Sequence, residues 1–262
     1  MDILTAKVNE IEMDWFSFGT GKKAFIIIPG LSLRSVMLSA DSIREAYKDF
    51  AEDYTVYVFD RKKNAKSGYS VREMAADTAA VMRHLGIENA DIFGASQGGM
   101  MAQYMAIDSP ELVHSIILAS TCARSGRKTE KVFEKWISLA EKHEIQKLNH
   151  SFFETIYSDE LLAQSADVMP FLESQGTAEE CDNFVIFAKA CIEFDSYDEL
   201  EKIKCPAYVI GAVDDRALSG EASFELAEKL GCELYMYEEY GHAVYDEASD
   251  YKQRILDFLN RI

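Results

Sequence analysis

Long apolar runs are missing from this chain of 262 residues. No stretch approaches the roughly 18 residues that a membrane-spanning helix needs. The opening Met1-Asp2-Ile3-Leu4-Thr5 lacks the basic-then-apolar pattern of a secretory leader. Cysteine is scarce and odd in number: the five, at 122, 181, 191, 205 and 232, are scattered without metal-ligand spacing. They read as reduced thiols and, with no leader, imply a cytoplasmic protein. Positive charge is also in short supply, with 27 Lys and Arg against 45 Asp and Glu and a formal net charge of −18. That balance argues against nucleic acid and against anionic membrane surfaces as partners. Internal repeats, low-complexity stretches, heptads and phosphate-cradling glycine loops are absent as well, and no pattern calls for a metal or a cofactor. The oligomeric state has no signature here. What remains is an ordinary globular composition, 48% hydrophobic, in a chain long enough for one buried core plus an inserted subdomain.

The apolar residues that are present fall into short runs alternating with helical spacing. Ala6 to Phe18 reads as one or two antiparallel edge strands, and Ala24 to Ile28 as a strand buried on both faces, ending in Pro29-Gly30. Ser35 to Phe50 has helical spacing, Tyr54 to Phe59 is a strand, and Val71 to Leu85 is a helix. Further strands are predicted at Ala90 to Phe93, Ser115 to Ala119, Ala207 to Gly211 and Leu234 to Tyr237. Such alternation implies an α/β fold with a mostly parallel sheet and helices on both faces. The alternation stops between about Arg124 and Lys202. There the pattern offers only helices: Glu130 to Lys142, Ile145 to Tyr157, Asp159 to Glu173 and Ala178 to Phe194.

The most informative five residues are Gly94-Ala95-Ser96-Gln97-Gly98, which fit G-x-S-x-G between a strand (Ala90 to Phe93) and a helix (Met100 to Ile107). A serine on so sharp a strand-to-helix turn has its hydroxyl exposed at the top of a sheet. The flanking glycines allow strand and helix to approach too closely for side chains. Two further loop tips follow in order. Asp214-Asp215 come directly after the strand at Ala207 to Gly211, and His242 lies in the turn Tyr240-Gly241-His242-Ala243 after the last strand. The histidines at 84, 114, 143 and 150 lie in helical runs or at strand edges and read as structural.

Ser, then Asp, then His, each on a loop of a parallel sheet, resembles the α/β-hydrolase superfamily over essentially the whole chain. The resemblance implies a core of 1–123 and 203–262 with a helical cap, 124–202, inserted after the sixth strand and not forming an independent domain. It implies Ser96 as nucleophile, His242 as base and an orienting acid at Asp214 or Asp215. Three residues beyond the strand's last glycine selects Asp214. The family's habit of Asp, any residue, then two apolar residues selects Asp215 (Asp215-Arg216-Ala217-Leu218), which is the preferred choice. The oxyanion hole would use the backbone N–H groups of Gln97 and Leu31, in a Pro29-Gly30-Leu31 loop where many relatives carry His-Gly. A serine at the elbow disfavours the relatives that need an aspartate nucleophile.

The implied function is a serine hydrolase of carboxylesterase or thioesterase type, cleaving a small ester or thioester through an acyl-enzyme intermediate. Two alternatives share these residues: a receptor or regulator of this fold with slow or single turnover, and a C–C hydrolase or lyase. The cap aromatics Phe133, Trp136, Phe152, Phe153, Tyr157, Phe171, Phe184, Phe187 and Phe194 are expected mostly to pack its helices together, some of them lining a pocket. Cations gather on the loops assigned to the catalytic edge: Arg34, Arg61, Lys62, Lys63, Lys66, Arg124, Arg127, Lys128 and Arg216. Positive potential focused there would draw in an anionic substrate; the alternative is that these side chains are structural or solvated.

Overall fold

Residues that alternate between two apolar environments form the frame of the molecule. The computed structural model describes Met1–Ile262. Its single sheet has eight strands: β1 (Leu4–Val8), β2 (Ile11–Phe18), β3 (Lys23–Ile28), β4 (Tyr54–Lys62), β5 (Ala90–Ala95), β6 (Val113–Ala119), β7 (Ala207–Ala212) and β8 (Glu233–Tyr237). Their order is β1-β2-β4-β3-β5-β6-β7-β8. β1, β2 and β4 pair antiparallel, and every pairing from β4 through β8 is parallel. In β3, Phe25 and Ile27 enter one core while Ile26 and Ile28 enter the other. Period-two alternation with apolar residues on both sides is what a doubly covered parallel strand requires.

The helices are α1 (Ala40–Ala46), α2 (Val71–His84), α3 (Gln97–Asp108), α4 (Arg127–Ala140), α5 (Ile145–Ile156), α6 (Asp159–Gln164), α7 (Met169–Glu173), α8 (Ala178–Ile192), α9 (Gly220–Leu230), α10 (Val244–Glu247) and α11 (Tyr251–Leu259). α2, α3 and α9 cover one face of the sheet, and that core runs on without a break into α4 and α8. The other face packs Tyr47, Phe50, Tyr251, Ile255 and Phe258 against Phe25, Phe93 and Tyr208. None of these helices is long and apolar enough to cross a membrane.

Two expected elements are subdivided. The helical spacing at Ser35 to Phe50 resolves into α1 between two short 3₁₀ turns, Val36–Ser39 and Lys48–Phe50. The helix expected at Asp159 to Glu173 is two, α6 and α7, because Pro170 sits in the first turn of α7. Proline lacks an N–H and clashes with the carbonyl four residues back, so it opens a helix and cannot continue one.

Parallel strands put their carboxyl ends on one edge, and the loops after β3, β5, β7 and β8 gather there. At the centre of that edge, backbone meets backbone. A Cβ on Gly98 would lie 2.0 Å from the Ile28 carbonyl oxygen, and one on Gly94 would lie 2.4 Å from the Gly98 oxygen. No flexible side chain can yield at either place. Gly98→Ala is therefore expected to cost at least about 1–3 kcal/mol, the usual range for overpacking. Urea unfolding checks this; a change below about 0.5 kcal/mol, the scale of neutral surface substitutions, would contradict the close approach.

Candidate active site

Ser96 directly follows β5 and immediately precedes α3, with φ at +51° and ψ at −116°. For a residue with a side chain this backbone costs of order 1–3 kcal/mol and persists only where its surroundings enforce it. Here they do. The Ser96 N–H donates to the Ala119 carbonyl at 2.8 Å, while its own carbonyl accepts from Thr121 Oγ1 at 2.8 Å and from Gly99 N–H at 2.9 Å. The turn is locked into the parallel ladder on one side and into α3 on the other.

His242 lies on the loop after β8, 3% exposed, and its Nδ1 is 2.7 Å from Asp215 Oδ2. Asp215, 2% exposed, uses its other oxygen to accept the N–H groups of Ala217 and Leu218, both at 2.8 Å. A short acidic side chain closing the turn of its own loop is a stiff support. Burial alone pushes the Asp215 carboxyl up, but the His242 imidazole and the two amides outweigh it, and the net direction is downward. The folded pKa thus lies below the unfolded one. Ionised Asp215 adds stability above about pH 4, the ordinary carboxylate value, and that contribution is lost as pH falls through the lower folded value. Asp214 is not part of this arrangement: its side chain is 65% exposed and pairs with Arg216 at 3.1 Å. Of the two acids left open by the sequence, the geometry joins only Asp215 to the imidazole.

Ser96 and His242 face one small cavity of about 30 Å³, and no hydrogen bond links their side chains in this conformation. Its walls are Gly30, Leu31, Phe133, Trp136, Phe152, Ile156, Ala217 and Tyr245. Leu31 and Gln97 are both buried, and neither backbone N–H finds a partner within the protein. Gln97 opens α3, where the first N–H groups have no intrahelical acceptor. The Leu31 loop is close at hand, since a Cβ on Gly30 would lie 3.2 Å from Ser96 Cβ. Buried unpaired amides are rare in proteins, and here two flank one serine.

Among the aromatics of the inserted helices, Phe133, Trp136 and Phe152 reach the cavity. Phe184 packs behind Phe152, Phe194 against Tyr104, and Phe171 is 66% exposed. The cations expected to attract an anion are largely engaged. Arg34, Arg61, Lys62, Lys63, Arg124 and Arg216 each lie within 4.0 Å of a carboxylate. Lys128 donates to the Asp215 carbonyl at 3.2 Å. Six of the nine cations named from the sequence thus have a local counter-charge, in keeping with the structural alternative.

Arg61 has a role that its charge alone did not reveal. Its side chain is 10% exposed and donates to the Gly30 carbonyl, and its Nε donates to Gln97 Oε1 at 3.0 Å. The available signal was its position: an arginine at the carboxyl end of β4, the strand paired with β3, which leads into the Gly30 loop.

Comparison with known proteins agrees with this fold. Residues 23–249 match the family described as alpha/beta hydrolase fold. A protein of Rhizobium rhizogenes provisionally named carbamate hydrolase RutD is 25% identical over 219 residues, 80% of this chain and 84% of its own. The 3-oxoadipate enol-lactonase 2 of Acinetobacter baylyi is 23% identical over 222 residues, 82% of this chain and 79% of its own. Two solved structures share the fold: an α/β-hydrolase enzyme from a Medee basin deep-sea metagenome library (TM-score 0.87, 20% identity, 98% and 97% of the two chains) and the enol-lactonase of Burkholderia xenovorans (0.85, 19%, 98% and 100%).

The contrast between the two neighbouring acids gives a direct test. Asp215→Asn is expected to lower the kcat for hydrolysis of an activated ester by about 1,000- to 10,000-fold, because the amide favours the wrong imidazole tautomer. Asp214→Asn should stay within about twofold, as for an exposed surface pair. Steady-state kinetics on both variants checks this, and equal losses would contradict it.

Proposed function

The chain belongs to the alpha/beta hydrolase fold family, and on that footing we propose that it is a serine hydrolase cleaving small esters or thioesters through an acyl-enzyme. The reading is carried by one observation. A serine enforced at positive φ shares a largely apolar cavity with a histidine fixed by a buried carboxylate, and two unpartnered amides flank that serine. Ser96 Oγ attacks the acyl carbonyl as His242 Nε2 takes its proton. Asp215 holds Nδ1–H, fixing the tautomer and stabilising the imidazolium as it forms. The Leu31 and Gln97 amides receive the developing oxyanion; removing one such donor typically costs about 2.7–4 kcal/mol of transition-state stabilisation. His242 returns the proton to the departing alcohol or thiol. Water, activated by the same imidazole, then releases the acid. The relatives' names, a carbamate hydrolase and an enol-lactonase, both describe hydrolysis at an acyl carbon.

The cavity supports a narrower reading of the substrate. At about 30 Å³, it has room for about two water-sized groups at roughly 10–15 Å³ each. Apart from His242 its lining carries no ionisable side chain but the Tyr245 phenol. Both features support a short, uncharged acyl group. The specificity constant should fall from acetyl to hexanoyl in a p-nitrophenyl ester series and respond little to added salt. A preference for carboxylate-bearing esters that weakens with salt would contradict this substrate class.

A fluorophosphonate probe tests the nucleophile. Intact-protein mass should show one adduct on the wild type and none on Ser96→Ala. An unlabelled, folded wild type would contradict the serine-hydrolase reading. The small cavity also suits a receptor of the same fold that turns over once. Many product molecules per protein molecule favour the enzyme, and about one favours the receptor.

A further inference from the structure

Two segments supply the unpartnered amides, and a single buried side chain ties them together. Arg61 donates to the carbonyl of Gly30, whose carbon belongs to the very peptide that carries the Leu31 N–H. Its Nη1 reaches Ser32 Oγ at 3.5 Å in the same loop. Its Nε holds Gln97 Oε1 at 3.0 Å, so the guanidinium spans the oxyanion loop and the first residue of α3. A planar fork of fixed geometry suits that span in a way lysine cannot match. Burial pushes the Arg61 guanidinium below its ordinary value, with Asp60, 3.9 Å away, opposing. Asp60 in turn accepts the Arg61 N–H at 2.8 Å and the Ser35 hydroxyl, anchoring the base of the arrangement.

The other half of Gln97 points outward to the inserted helices. Its Nε2 donates to the Phe187 carbonyl at 2.9 Å and lies 3.0 Å from Cys191 Sγ, both on α8. Burial pushes the Cys191 thiol up to about 12, so this sulfur is neutral. The Phe187 ring also lies 5.5 Å from the Arg61 guanidinium carbon. Both members of the pair therefore touch α8 as well as the elbow.

We propose that Arg61 and the Gln97 carboxamide form a positioning clamp that sets the spacing of the Leu31 and Gln97 amides and couples that spacing to the seating of α8. The inference rests on the serine-hydrolase reading. Neither side chain touches the substrate. Each holds a peptide that does. When α8 lifts, Gln97 loses the Phe187 carbonyl and the Arg61 side chain loses the ring beside it, so the oxyanion hole is fully formed only with the helix docked.

The test uses Arg61→Ala, Gln97→Met and the double variant, with p-nitrophenyl acetate turnover, fluorophosphonate labelling rate and thermal melting measured on each. A partly misplaced donor should lower kcat about 10- to 100-fold, below the full loss of one donor, with KM within about threefold. Because the two act as one unit, the double variant should lose no more than the worse single variant. Methylguanidinium should restore part of the Arg61→Ala rate without restoring its Tm. Should Arg61→Ala fail to fold, Gln97→Met alone carries the test through the same split of kcat from KM. A labelled wild type whose single variants keep their kcat, or whose losses multiply in the double variant, overturns the clamp alone. A wild type that takes no label overturns the serine-hydrolase reading, and the clamp with it.

Discussion

Everything at the catalytic edge depends on backbone being allowed to touch backbone beneath Ser96. β3, β5 and the first turn of α3 converge so closely that Gly98 faces the Ile28 carbonyl and Gly94 faces the Gly98 carbonyl. This convergence forces Ser96 into a conformation that serine avoids. The strain is retained because four hydrogen bonds to the Ser96 backbone, the one from the Met100 N–H included, and a parallel ladder on each side of β5 hold it. The same convergence leaves the Gln97 amide at a helix start and brings the Leu31 loop against the serine. A single steric fact thus presents the hydroxyl and positions both amides.

The remaining groups reach this point by longer routes, and each is fixed by its own local device. Asp215 is set by its loop's amides. The His242 loop is tied to the inserted helices, since the Ala243 N–H donates to the Ile156 carbonyl at 2.7 Å. Gln97 is tied to α8. The helices between β6 and β7 thus do more than cover the cavity with Phe133, Trp136 and Phe152. They hold two of the loops from which the site is assembled, which gives their packing a direct connection to the chemistry.

The sheet, the elbow and the order of the loop residues were legible because each leaves a short-range mark: continuous apolar runs, paired glycines, and polar residues at the ends of strands. The preference for Asp215 over Asp214 came from a four-residue pattern, but its physical reason is not short-range. Adjacent residues point in different directions, and only the fold of the loop sends one inward to His242 and the other out to Arg216. The cationic loops left two readings open for a related reason. Composition counts charges but cannot see that Lys63 meets Asp14, or Arg124 meets Glu225, across the chain. Arg61 was visible as a charge yet acts through its fork geometry, a property of contacts 31 and 36 residues away. Pro170 was the opposite case: a local signal for splitting a helix that helical spacing overrode.

The proposed acyl-enzyme would carry its acyl group on Ser96. The measurement that meets it most directly is intact-protein mass, with peptide mapping, of enzyme quenched in acid during turnover of a short-chain p-nitrophenyl ester. The expected result is an added mass equal to the acyl group, located on the peptide containing Ser96 and absent from Ser96→Ala. Sustained product formation with no acylated Ser96, and a Ser96→Ala variant that still turns over, would contradict it.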